Sequence, residues 1–343
     1  MRQERSLDQP AISVCIANYN GIDIIADCID SVVNQSFSGS YEILVHDDAS
    51  QDDSVEFIRT TYPDITLIQS TMNVGFCKSN NRLAETAKGK YLLFLNNDVV
   101  LFDNALEKML QEAEQDSGDS ILSVSQIDIN TNKTIDHGYF LDPFFNPIPN
   151  LDEKIKNVAM VIGACLWISR IQWDRASGFP EWFDTLAEDM YLCMFAIVNG
   201  QNVRVVGNSG YKHHVGYSLG GGKVKNNSLS TSFKRRRFSE RNKTYVLCLF
   251  TPKIVLLPIL CVHLIALVCE GAILSLIKMD KKLWGTIYLF TLTSLWKNRK
   301  ILFRERKRVQ QFNKISLRYY LSIFRWYPHK IRLLLSHGVP SIR

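Results

Sequence analysis

An α/β fold on a mostly parallel sheet, with helices on both faces, is predicted by three observations. Strand-like and helix-like segments alternate four times within about the first hundred residues, a pattern that calls for right-handed crossovers between parallel strands. The strand segments are apolar on both faces, Tyr91-Leu-Leu-Phe-Leu95 most clearly, as in a sheet covered from both sides. The first intervening segment sets Ile22, Ile25, Ile29, Val32 and Val33 at helical spacing.

The elements follow in order. Residues 11–17 form the first strand, which stops at Asn18-Tyr-Asn-Gly21, and a helix occupies 22–36. Tyr41–His46 is the second strand and closes on Asp47-Asp48-Ala-Ser50. A helix over 51–61, a strand over 65–68 and a helix over 75–87 lead to the Tyr91–Leu95 strand, which runs into Asn96-Asn97-Asp98. Helix 103–115 and strand 121–127 continue the alternation. Between 128 and 157 the period fades, and Pro143, Pro147 and Pro149 mark an irregular segment suited to contacting substrate. Residues 161–169 read as a strand, 187–199 as a helix and 203–206 as a strand. Residues 216–232 are rich in Gly, Ser and Asn without an apolar period, and read as a mobile loop.

Eight cysteines, with no CxxC pair, sit mostly in apolar runs, as at Cys15, Cys165 and Cys193. That is the pattern of reduced, buried thiols. Together with a polar N-terminus lacking a secretory pattern, it predicts a cytosolic setting and argues against a zinc site. The net charge of +6 is unevenly spread: residues 279–343 carry fifteen Lys/Arg against two Asp/Glu, and the rest of the chain is acidic. A basic tail suits an anionic membrane surface or a nucleic acid. Its charges lie among apolar runs over 254–269, 271–277 and 283–296, and no nucleic-acid recognition motif is present. The expected partner is therefore the membrane and not a nucleic acid. The first run is just long enough to span a bilayer, and the last is short. A single span would put the tail opposite the α/β domain, against the positive-inside rule. A shallow hairpin, or helices lying in the interface, keeps all basic residues on one side. A soluble helical pair is the bland alternative.

In open parallel sheets, ligands bind beyond the carboxyl ends of the strands. Asp98 arrives at that edge with Asn96 and Asn97, and such oxygen ligands suit Mg²⁺ or Mn²⁺. A cap on the next helix is the competing reading. Asn18 and Asn20 end the first strand, and Asp47 and Asp48 the second. Carboxylates there can accept from a nucleobase or ribose, or simply cap a helix. Asn73-Val-Gly75 opens the third helix, and Gly75 permits a tight turn and close ligand approach. The chain has neither GxGxxG nor GxxxxGK[ST]. Glu188-Asp189 starts an apolar helical pattern. Acids are favoured there by the helix dipole, or one of them serves as a general base facing the sheet edge. His213-His214 follows a short strand and is either a ligand pair or a solvated one.

The order of these motifs, joined by Gly178-Phe179-Pro180-Glu181 and by His213 ahead of Gly216 and Ser218, is decisive. The chain resembles the family 2 glycosyltransferases of GT-A fold, and within them the rhamnosyltransferase-like branch that builds bacterial surface polysaccharides. The resemblance covers about residues 11–245, and extends more loosely through Arg241-Asn242-Lys243 to the apolar tail. It implies a GT-A domain over 1–245 and a membrane-associating helical region over 246–343.

Carried over by position, the resemblance implies that Asp47 or Asp48 binds the nucleobase of a nucleoside diphosphate sugar. Asn18, Asn20, Asn73, Gly75, Asn81, Asn96 and Asn97 would contribute to the donor site. Asp98 would bind Mn²⁺ or Mg²⁺, with Asn96 where the family usually has a second aspartate. His213, or its neighbour His214, would complete the metal site, and Asp189, beside Glu188, would be the catalytic base. The implied activity is inverting hexosyl transfer from dTDP-rhamnose or a UDP-hexose to a glycan or lipid-linked oligosaccharide, at the cytoplasmic face of the inner membrane. The rival is a catalytically silent nucleotide-sugar-binding protein. The chain departs from the family pattern at Tyr191 and Phe195, where an aspartate and an arginine are usual, and in the one-residue shift of Trp182-Phe183.

Overall fold

The computed structural model describes residues 9–116, 118–214, 216, 221–225 and 228–342. The chain forms two compact units. One comprises Met1–Gly138, Asn150–Ala196 and Gln201–His214, and the other Tyr139–Pro149, Ile197–Gly200 and Val215–Arg343. The expected division at residue 245 falls inside a continuous helix, Phe233–Phe250, and the units part after His214 instead.

The first unit is a curled α/β sheet of the GT-A type. Strands β1 (Ile12–Asn18), β2 (Tyr41–Asp47), β3 (Thr66–Gln69) and β4 (Tyr91–Asn96) run parallel in the order β3-β2-β1-β4. Helix α1 (Ile25–Val33) buries Ile25, Cys28, Ile29 and Val32, the stripe that its sequence spacing predicts. Helices α2 (Ser54–Thr61) and α3 (Phe76–Thr86) complete the crossovers. Leu92, Leu93 and Phe94 are fully buried, as a strand covered on both faces requires.

Beyond β4 the sheet departs from the parallel expectation. A short strand, β5 (Val99–Leu101), follows Asp98 directly, where no strand was expected. After helix α4 (Ala105–Gln115) come β6 (Ser120–Asp128) and β7 (Thr134–Asp136). In the second unit, the segment read as irregular holds two more short strands, β8 (Tyr139–Leu141) and β9 (Pro147–Pro149), which pair with each other. The predicted strand over 161–169 is confined to β10 (Cys165–Ser169), which inserts antiparallel between β4 and β6. Helices α5 (Arg170–Ala176) and α6 (Glu188–Val198) follow it. Strand β11 (Asn202–His213) is far longer than the predicted 203–206 because it continues past a bulge between Val206 and Gly210. It pairs parallel with β6 and antiparallel with β5.

In the second unit, the segment read as a mobile loop contains β12 (Gly221–Lys225) and β13 (Ser228–Thr231), which pair antiparallel. β13 also pairs with β14 (Ser341–Ile342). Residues 217–220 and 226–227 of that expected loop, and the side chains of Lys223 and Lys225, lie outside the described residues. Helix α7 (Phe233–Phe250) starts at Ser232, whose hydroxyl accepts from the Arg235 amide at 3.1 Å. Its last carbonyls are satisfied by Arg306, whose guanidinium donates to the Cys248 and Thr251 oxygens at 2.6 and 2.8 Å. The runs expected over 254–269 and 271–277 form one helix, α8 (Lys253–Ile277). By length and composition α8 is apolar enough to cross a membrane: mean hydropathy reaches 2.4, and 17% of that window is buried. Ile254, Leu257, Ile265 and Leu276 are among its exposed residues.

Candidate active site

The carboxyl edge of β2, β1 and β4 carries a continuous polar chain. The Asn97 amide donates to Asn18 Oδ1 at 2.8 Å, and the Asn18 amide donates to Asp47 Oδ2 at 3.0 Å. Ser50 donates its backbone N–H and its hydroxyl to Asp47 at 2.9 and 2.6 Å. Parallel registry creates this chain, since Asn18 pairs with Asp47 across β1 and β2 while Ala17 pairs with Asn96 across β1 and β4. Asn18, Asp47 and Asn97 are all buried. A methyl group on Gly21 would lie 2.2 Å from Asn18 Oδ1 and 2.4 Å from Asn97 Nδ2, so only glycine leaves room for the network.

Asp48 faces a different task. Its two oxygens accept from the Val74 and Gly75 amides at 2.6 and 2.9 Å, locking the turn ahead of α3. Gly75 sits at φ 89° and ψ 163°, a conformation essentially reserved for glycine. Asn73, just before it, is exposed. Asn20 is exposed, with its backbone N–H donating to Ser50 and its side chain accepting from Gln51. Asn81 is placed elsewhere. It brackets Phe179, accepting from its N–H at 2.9 Å and donating to its carbonyl at 3.0 Å, which ties α3 to the turn at 178–181. The structure thus gives Asn81 and Asp48 architectural partners, and leaves Asn18, Asn20, Asp47, Asn96 and Asn97 at the strand ends.

Asp98 and His213 meet because β5 and β11 pair antiparallel with Val99 opposite His213. The ring Nε2 lies 3.2 Å from Asp98 Oδ1, and both residues are buried. Gln126, on β6, holds the other ring nitrogen at 2.6 Å. His214 meets Asp98 through the backbone, donating its N–H to the Asp98 carbonyl at 3.0 Å. Among the described residues no three His, Cys, Asp or Glu side chains gather as a metal cluster. One carboxylate and one imidazole still fit a divalent ion that draws its other ligands from substrate oxygens. Asp98 Oδ1 is buried with the His213 ring nitrogen as its near neighbour, so the two atoms that would share an ion already face each other.

Asp189 reaches the same edge from α6. Its Oδ2 accepts from the Gly163 amide at 3.0 Å, and Gly163 immediately precedes Ala164, whose carbonyl accepts from Asn96 N–H at 3.1 Å. Asp184, Leu186 and Ala187 all adopt positive φ just before α6. Left-handed backbone at non-glycine residues costs on the order of 1–3 kcal/mol each and clusters at functional sites. Here it aims the first turn of α6, with Asp189 half-buried and Glu188 buried.

Sequence reasoning missed three contributors. Gln126 was hidden inside an ordinary strand pattern. Gly21 closes a motif that was read for its asparagines. Tyr19, 48% exposed next to buried Asn18, offers a flat face where a base can stack. An aromatic at a strand end beside two asparagines was the available signal. His46, beside Asp47, contacts Ser70 Oγ at 3.1 Å. Burial pushes its imidazole below the ordinary range, against the opposing pull of Asp48.

The comparisons fit this geometry. Residues 13–171 match the model of glycosyl transferase family 2. The poly(ribitol-phosphate) beta-glucosyltransferase of Bacillus spizizenii is 33% identical over 116 residues, which is 32% of this chain and 18% of that protein. The chondroitin synthase of Escherichia coli is 28% identical over 188 residues, 53% of this chain and 26% of that one. The chain thus spans about a quarter or less of these relatives. Among solved structures, GalNAc-T7 with UDP, GalNAc and Mn²⁺ superposes with a TM-score of 0.53 at 17% identity, covering 61% of this chain and 44% of that chain. The mannosyltransferase PcManGT of Pyrobaculum calidifontis, solved with GDP-Man and Mn²⁺, gives 0.50 at 17% identity over 85% and 87% of the two chains. The first unit thus has the GT-A fold, and residues 13–171 within it match glycosyl transferase family 2.

Proposed function

We propose that the chain is an inverting glycosyltransferase that moves a hexosyl group, rhamnose or a UDP-linked hexose, from a nucleoside diphosphate sugar to a hydroxyl of a bacterial surface glycan carried on a lipid. The observation that carries this reading is the arrival of the Asp98–His213 pair and of Asp189 on one sheet edge, beside the Asn18–Asp47 chain. Relatives named as a polymer glucosyltransferase and a chondroitin synthase support a glycan acceptor.

Each residue has a defined task. The edge from Asn97 to Ser50, with Tyr19 beside it, receives the nucleoside. Asp98 and His213 would hold Mn²⁺ or Mg²⁺, which supplies positive charge against the pyrophosphate as it departs. Asp189 accepts the proton of the acceptor hydroxyl as that oxygen attacks the anomeric carbon from the face opposite the leaving group. One displacement of this kind inverts the anomeric centre. The domain lies at the cytoplasmic face of the inner membrane, and the exposed apolar residues of α8 and the basic tail hold it there.

The test uses the whole chain. Thermal stabilisation is measured with a panel of nucleotide sugars, with and without Mn²⁺ or Mg²⁺, on wild type and on Asp98→Ala. Metal-dependent stabilisation by one donor, absent in the variant, is expected. Equal stabilisation of both proteins, or none by any donor, overturns the site. Sedimentation with vesicles of anionic lipid but not of neutral lipid is expected, and failure to sediment with either removes the membrane role.

A further inference from the structure

The second unit contains a cavity of about 810 Å³, within the usual range for small-molecule sites. Its lining combines charged and apolar residues. Five charges form a network around α7. Glu240 Oε1 lies 2.8 Å from Lys330 Nζ and 3.2 Å from Arg236 Nε, and Glu240 Oε2 lies 3.2 Å from Lys243 Nζ. Glu270, on α8, pairs with Lys330 at 2.6 Å and also with Arg236. Lys243 donates further to Asn146 Oδ1 at 2.6 Å. Three cations thus face two carboxylates, and Glu240 and Lys243 are almost wholly buried. Apolar residues flank the charges on the same helices, Val262, Ala266, Leu267 and Leu274 on α8 around Glu270, and Leu333 and Leu334 one turn from Lys330.

Every lining residue belongs to the second unit, and none of the candidate catalytic residues is among them. A folding role alone does not account for it either. Burying charged groups is costly even when they are paired, and the lining carries four cations, Arg235, Arg236, Lys243 and Lys330, against Glu240 and Glu270, with the buried Asp142 carboxylate reached from Lys243 through the Asn146 amide. Burial pushes the Lys243 ammonium down to about 8, against the pull of Glu240, which registers that strain. A cation-rich cluster flanked by apolar side chains matches an amphiphile whose head is an anion and whose tail is a hydrocarbon.

We propose that this cavity binds a lipid phosphate, with the phosphate on Lys243, Arg236 and Lys330 and the hydrocarbon chain along α8 and Leu334. The inference rests on the proposed membrane-borne acceptor for its choice of lipid, and it assigns the lipid end of that substrate to the second unit.

The probe is dodecyl phosphate below its micelle concentration, titrated calorimetrically into the full-length protein, with dodecyl maltoside and inorganic phosphate as comparisons. Dodecyl phosphate is expected to bind at least tenfold more tightly than either. Ala266→Trp, which fills the cavity while leaving all five charges in place, is expected to weaken it at least tenfold. Equal affinity for dodecyl maltoside would mean a mere apolar groove, and equal affinity for inorganic phosphate a free-anion site. Either result overturns the proposal, as does full binding by a folded Ala266→Trp. The wild-type ligand comparison decides the matter even if that variant fails to fold. Stabilisation of the same wild-type preparation by a sugar nucleotide reports the first unit separately. Lost lipid binding with donor binding intact therefore overturns the cavity alone.

Discussion

His213 Nε2 lies 3.2 Å from Asp98 Oδ1, and Gln126 clasps the far side of the same ring at 2.6 Å. Neither neighbour is close to His213 in sequence. The pairing of β11 with β5 and with β6 puts all three side chains together. Gln126 can present either end of its amide to Nδ1. With its oxygen there, Nδ1 carries the proton and Nε2 keeps its lone pair for a metal ion. With its nitrogen there, the proton sits on Nε2 and is shared with Asp98. Gln126 therefore sets which form of His213 faces the site.

Changing Gln126 to Met should weaken Mn²⁺ binding by about 10- to 100-fold, the usual range when a partner of a metal-bound histidine is lost. Gln126→Glu, which accepts from Nδ1–H in every orientation, should retain or tighten it. Electron paramagnetic resonance of free Mn²⁺, titrated in the presence of a nucleoside diphosphate, reads both. Unchanged binding in Gln126→Met would remove the residue from the site.

Asp189→Asn should lower kcat by about 10²–10⁴ while leaving donor affinity intact, because the amide keeps the size of the side chain and loses its basicity. Its carbonyl oxygen can still accept from Gly163 N–H, so the strand end should hold. Turnover and donor binding measured on one preparation separate the two effects. A parallel loss of donor binding would make Asp189 a structural anchor and not the base.

The parallel half of the sheet was legible in the sequence because its strands are short, doubly buried and separated by amphipathic helices. The edge residues Asn18, Asp47 and Asp98 were legible for the same reason, since each ends such a strand. The antiparallel half was not. β5 is three residues long, and β11 crosses a bulge that breaks its alternation. So the sequence offered both His213 and His214, and only the β5–β11 registry puts the His213 ring at Asp98. Asp48 and Asn81 were legible as polar residues at turns, but what they hold in the fold was not. Their backbone partners at Val74, Gly75 and Phe179 come from segments that no local pattern connects to them.

Gly75→Ala should destabilise the protein by about 1–3 kcal/mol, through backbone strain and not through a clash. A methyl group at this position would meet nothing closer than the Asp184 carbonyl at 3.9 Å, whereas φ 89° is closed to alanine. Relief of the strain would pull the Val74 and Gly75 amides off Asp48 and disturb the start of α3. Donor affinity should therefore fall together with the denaturant midpoint. A variant as stable as wild type would show that this turn relaxes freely.

Acid should destabilise the first unit through His46. The unfolded imidazole titrates near 6.5, and burial lowers the folded value. Below about pH 6.5 the unfolded chain takes up a proton that the folded chain refuses. The contribution of neutral His46 is thus fully present above that pH and is lost as pH falls toward the folded value. Asp48 limits the loss by favouring the charged ring, and Arg82 adds to it. His46→Gln can still pair with Ser70 but does not titrate, so its unfolding free energy should fall less steeply than that of wild type between about pH 6.5 and 5. Urea unfolding of the two proteins across that window gives the difference directly, and it cancels the other titrating groups they share. Identical slopes would mean that His46 gains its proton without leaving the fold.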